Sequence, residues 1–140
     1  MYRILVAVDG SERANRAARF AVGLAGRVGE SEILLFNVQD PVEESQTHGL
    51  GRDAITKHRE QLAQNAAEQA RNIVEKAGKP CRFDWSFGDP AHVIAERARS
   101  HDCDLIVMGT LAQGRVENLL LGSVAYQTLQ LSSVPVTLVK

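Results

Sequence analysis

Cysteine is scarce in this chain. Two occur in 140 residues, Cys81 and Cys103, with no C-x-x-C pair. That spacing makes neither a disulfide framework nor a zinc site. An excess of either charge is also missing. Lys and Arg total 16 against 17 Asp and Glu, for a formal net charge of −1. Such a balance gives no electrostatic footprint for nucleic acid or an anionic membrane. No apolar run approaches the roughly 20 residues that span a bilayer. The opening "YRILVAVDG" is too short, and too acidic at its end, for a secretory leader. The expectation is a cytoplasmic protein without a membrane span and without a nucleic-acid partner. Catalytic constellations are absent as well. The four histidines, His48, His58, His92 and His101, are scattered, and none adjoins a nucleophile or a metal-ligand partner. His92 reads as a surface residue that nothing orients. The chain is expected not to be a dedicated enzyme, with slow hydrolysis at most.

What is present is an ordinary globular composition, 44% apolar and 24% charged. At this length it predicts one domain over residues 1–140 with a sizeable core. Two periods alternate along it. "YRILVAV" (2–8), "EILLFNV" (32–38) and "DLIVMG" (104–109) read as strands buried on both faces. "CRFDWSF" (81–87) alternates, as a strand near a sheet edge does, and "VPVTLVK" (134–140) reads as the last strand. Between them lie helical patterns. Ser11 caps the first, whose stripe runs from Ala14 to Val28, and Gly29 ends it. The second carries Ile55, Leu62, Ala66, Ile73 and Ala77 near one face. Asp89 and Pro90 open the third, which faces Val93, Ile94 and Ala98 inward, and the fourth is expected over about 119–131.

Five strands alternating with four helices imply an α/β fold. It is a doubly wound, five-stranded parallel sheet with helices on both faces. Ligands of such sheets sit beyond the carboxyl ends of the strands, where strand order reverses. On that rim lies "MGTLAQGRVENLLLGSV" (108–124). Its "GTLAQGRV" nearly fits the G-x-x-x-x-G-K-[ST] phosphate loop. It fails at the chemistry, with Arg115 for the lysine and Val116 for the magnesium-binding hydroxyl. A dinucleotide G-x-G-x-x-G is absent too. Residues 39–54, polar and carrying Pro41, Gly49 and Gly51, read as a loop and a candidate lid.

At these residues the chain resembles the universal stress protein family over essentially its whole length. The resemblance rests on "ILVAVDGS" (4–11), "FNV" (36–38), "GDP" (88–90), "DLIVMG" (104–109) and "SVPV" (133–136). The family's nucleotide-binding members carry G-x-x-G-x9-G-[ST]. Gly109 and Gly122-Ser123 match it at the right spacing, and Ala112 replaces the middle glycine. The resemblance implies an adenine nucleotide alpha hydrolase-like sheet, with strand order 3-2-1-4-5. It implies that Ala7, Val8 and Asp9 line the base and ribose side, with Asp9 as the polar contact. Val38 would pack on adenine, Met108 and Gly109 would floor the pocket, and Gly122, Ser123 and Val124 would meet the phosphates. The implied ligand is ATP or another adenine nucleotide, with or without Mg2+.

The residues themselves leave other roles open. Asp9 serves equally to brace its turn, Gly122 to allow helix packing, and Met108 to fill core. If position 112 needs a left-handed backbone, alanine costs about 1–2 kcal/mol, a five- to thirtyfold loss of affinity. Gly114 relieves that strain if it takes the turn instead, and Arg115 offers a charged contact to phosphate. Two functions remain: a nucleotide-binding regulatory or stress-response module, and a protein-interaction dimer that binds no nucleotide. An enzyme on the same fold is a weaker third. Both main readings share a homodimer through the final strand, residues 134–140. Its apolar edge ends with Lys140 and offers unpaired backbone groups. Pro135 is expected to remove one donor from that edge.

Overall fold

The computed structural model describes residues 1–40, 51–111 and 121–140. The first apolar run becomes the middle of the sheet. β1 (Tyr2–Ala7) pairs in parallel with β2 (Ser31–Gln39) on one side and with β4 (Leu105–Gly109) on the other. Strand alternation sends Ile4 and Val6 to one face and Leu5 to the opposite face, all fully buried. That is why the run is apolar without interruption. β3 (Cys81–Phe87) and β5 (Val136–Val139) close the two edges, giving the order β3-β2-β1-β4-β5 as expected.

α1 (Glu12–Val28) and α2 (Arg52–Lys76) cover the Ile4/Val6 face, while α3 (Pro90–Ser100) and α4 (Ser123–Leu131) cover the Leu5 face. α1 begins where the sequence predicts. The Ser11 hydroxyl accepts from the Ala14 N–H at 3.3 Å, and Gly29, at φ +88°, ends the helix. Its buried positions are nearly all alanine: 14, 17, 18, 21 and 25. Small side chains let the helix axis approach the sheet closely.

Two helices depart from expectation. α2 starts at Arg52 rather than near Ile55, and its buried stripe is Ala63, Ala67, Ala70 and Val74. The predicted stripe is thus off by about one residue. The helix packs against α1 and β2, where alanine allows the closest approach, so Leu62 and Ile73 are left half-buried beside the stripe. α4 starts at Ser123, not near 119, with Gly122 extended at φ −62°, ψ 156°. Leu121 therefore lies outside the helix. Cys81 packs on the α1/α2 face and Cys103 on the α3/α4 face. The sheet between them rules out a bridge. Burial pushes the Cys103 thiol up to about 11. No helix among the described residues is long and apolar enough to cross a membrane.

Candidate functional site

Between β1 and β4 the order of the strands reverses. One neighbouring crossover passes over each face, so the carboxyl ends of these two strands open a cleft. Its volume is about 350 Å³, at the low end of the roughly 300–1,000 Å³ typical of small-molecule sites. Ala7, Val8 and Asp9 come from the end of β1, and Val38 from β2. Met108 and Gly109 come from β4, and Gly122, Ser123 and Val124 from the start of α4. These nine are all the sequence-chosen residues that are described, and the fold brings every one of them to the same cleft. Ala112, Gly114 and Arg115 lie outside the described residues, as do residues 41–50 of the expected lid.

One wall is apolar. Phe36, Val38, Ile94, Met108 and Val124 face it from the α3/α4 side of the sheet. The polar end is built on the β1–α1 turn. Asp9 Oδ1 accepts from the Ser11 N–H at 3.0 Å and from the Ser11 hydroxyl. Asp9 Oδ2 pairs with Arg13 Nη2 at 2.9 Å. Asp9 does brace its turn, then, and its side chain is still 48% exposed beside the cleft. Asn37, buried at the end of β2, donates to the Val8 carbonyl at 2.7 Å and fixes the end of β1.

The two glycines differ in what they are for. A Cβ on Gly109 would stand 2.2 Å from the Arg13 carbonyl oxygen, so α1 rests directly on the end of β4 and nothing larger fits. Gly122 has an ordinary extended backbone. A Cβ there would meet, among the described residues, only the Leu111 side chain at 3.7 Å. Helix packing explains Gly109, and among the described residues it does not explain Gly122. α4 begins with no side-chain cap and no acid in its first turn. Among the described residues nothing caps its first N–H groups, which line the cleft with the positive end of its dipole.

The α3 entrance corrects the reading of His92. Asp89 accepts from the His92 N–H at 3.2 Å and meets His92 Nδ1 at 2.5 Å, so a carboxylate does orient this ring. The imidazole, and then the backbone N–H, hold the Asp89 carboxyl below its usual range. The D-P-x-H spacing carries the signal, since positions i and i+3 meet on a helix. Sequence reasoning also missed Arg13 and Asn37. Arg13 was legible as the i+4 partner of Asp9, whereas Asn37 was visible only once β2 was in register with β1.

An open parallel sheet with a ligand-sized cleft at its switch point defines the class of this protein. The universal stress protein family matches residues 1–140. The universal stress protein YxiE of Bacillus subtilis is 31% identical over 99% of this chain and 98% of its own. The universal stress protein MJ0531 of Methanocaldococcus jannaschii is 30% identical over 99% and 81%. The chain belongs to the universal stress protein family. Among solved structures, the hypothetical protein MJ0577 superposes with a TM-score of 0.80 at 27% identity, over 99% of this chain and 95% of that one. Two more distant structures share the fold. One is a universal stress protein in complex with cAMP (TM-score 0.67, 21% identity, 99% and 96% covered). The other is an Arabidopsis thaliana family member with AMP bound (TM-score 0.70, 19% identity, 100% and 92% covered).

Proposed function

We propose that this protein is an adenine-nucleotide-binding regulatory module. It takes ATP or a related nucleotide in the β1/β4 cleft and acts as a homodimer joined along β5. One observation carries the reading: nine residues chosen from four separated stretches of sequence line a single cleft at the switch point. The chemistry of the lining is suited to the ligand. A planar base fits the Phe36–Val38–Met108 wall, ribose hydroxyls fit Asp9, and phosphate oxygens fit the first N–H groups of α4 and the Ser123 hydroxyl. The relatives of the same fold with cAMP and AMP bound agree with this choice. With ATP, Mg2+ would enter as the counter-ion of the phosphates.

Isothermal titration with ATP and with AMP tests the reading, and about one site per chain is expected. The absence of both heat and a thermal shift at millimolar nucleotide would end it. Gly122→Ala sharpens the test. The described surroundings leave room for the methyl group, so the fold should keep its stability while nucleotide affinity falls.

The second reading, a dimer that binds no nucleotide, is favoured by Asp9, whose two oxygens already have partners in Ser11 and Arg13. Mass spectrometry of ligands released from purified protein separates the two readings.

A further inference from the structure

Among the described residues lining the cleft there is one formal anion, Asp9, and one formal cation, Arg13. They neutralise each other through a single contact of 2.9 Å, with side chains 48% and 41% exposed. A pair so open to water is weak. A phosphoryl group offers guanidinium a stronger, two-pronged acceptor.

The position of Arg13 is fixed. Its backbone carbonyl lies where a Gly109 side chain would stand, so its side chain starts from the floor of the cleft. The uncapped start of α4 lines the same cleft. One turn further along α1, the Arg16 guanidinium donates to the Thr110 carbonyl at 3.3 Å. Its buried Nε has no partner among the described residues. A second positive charge therefore backs the same end of β4.

We infer that Arg13 is the residue that makes this cleft select a phosphorylated ligand over its dephosphorylated counterpart. The inference rests on the nucleotide reading above and deepens it. Without ligand, Asp9 holds the guanidinium. A ligand whose ribose hydroxyls bind Asp9 releases Arg13, which then takes phosphate oxygens opposite the α4 N–H groups. The exchange replaces a weak internal pair by an arginine–phosphate pair. Discrimination thus comes from the change of partner rather than from the size of the cleft.

The test is titration of wild type, Arg13→Gln and Arg13→Lys with AMP and with adenosine, at two salt concentrations. Wild type should prefer AMP. Arg13→Gln should lose about tenfold or more for AMP, hold adenosine within about twofold, and show a weaker salt dependence. Arg13→Lys keeps the charge without the fork and should fall between them. Equal losses for AMP and adenosine, or no loss for either, overturn the inference. Wild type that binds AMP and adenosine equally overturns it too, and leaves the nucleotide reading standing. Wild type that binds neither overturns both.

Discussion

The sheet has two edges, and they are finished differently. At β3 the residues bonded to β2 are even-numbered. The Ile33 N–H bonds the Pro80 carbonyl and the Gly88 N–H bonds the Gln39 carbonyl. The outward backbone groups are thus those of Cys81, Phe83, Trp85 and Phe87. Asp84 closes part of that row itself. Its Oδ1 accepts the Trp85 N–H at 2.8 Å, and its Oδ2 pairs with Arg97 of α3. Arg82 adds another charge on the same strand.

At β5 the carbonyls of Pro135 and Val139 accept from Ile106 and Thr110, so Val136 and Leu138 turn their backbone groups outward. No charged side chain lies in residues 134–139, and no strand faces this edge among the described residues. The register also corrects the expectation for Pro135, whose missing N–H faces β4 and leaves the free edge intact. Both helices packed against β5 expose apolar side chains, Phe20 on α1 and Tyr126 and Leu129 on α4. Charge and a self-made hydrogen bond protect one edge against strand addition, while the other keeps its donors and acceptors available. This contrast is what places the proposed two-fold contact at β5.

The strongest way to break the contrast is Val136→Pro. It deletes an outward donor without touching the β4 ladder, and it should turn a dimer into a monomer. Light scattering after size exclusion, at tens of micromolar, reads the result. A wild-type monomer, or a variant that stays dimeric, shows that β5 is no interface. Next comes Asp84→Ala. It exposes the Trp85 N–H and strands Arg97, and it should cost about 1–3 kcal/mol in urea unfolding. It should also raise self-association in a Val136→Pro background, where only β3 remains to pair.

Acid offers a milder handle. The Asp89 carboxyl, which caps α3 just after β3, titrates below its usual range. The stability it confers is present above the ordinary carboxylate pKa and lost as pH falls through the lowered value. Asp89→Ala should therefore be less stable than wild type at neutral pH, with the gap closing in acid. Equal gaps at both pH values would mean that the contribution does not come from the ionised carboxylate. β5 has no titratable group in residues 136–139 and should show no such change. The smallest effect is on thiol labelling. Cys81, half-buried on β3, should react before Cys103, whose thiol is pushed up to about 11. Asp84→Ala should speed Cys81 alone.

Local chemistry was fully legible where it decides the outcome within a few residues. The Ser11 and Asp89 caps, the Gly29 stop and the uninterrupted apolar run of β1 all follow from neighbours in sequence. The motif residues of the cleft were legible for a related reason. Each sits at a strand end or helix start, and in a parallel α/β sheet these points share one rim. The face of α2 was not legible, because Leu62 and Ile73, its larger apolar residues, outweigh the alanines one position away in a periodicity argument. Only contact with α1 and β2 shows that Ala63, Ala67 and Ala70 are the buried ones.

By itself, then, the sequence determined the order of elements, the family and most of the cleft lining, because these depend on spacing along the chain. The tertiary structure decided the matters that depend on register and approach. It showed that Gly109 is required by the Arg13 backbone, while the described residues around Gly122 leave room for a side chain. It set Asn37 of β2 against the Val8 carbonyl at the end of β1. It turned Val136 and Leu138, and not Pro135, to the open edge. Each of these is set by distances between segments far apart in sequence, and no local pattern records such distances.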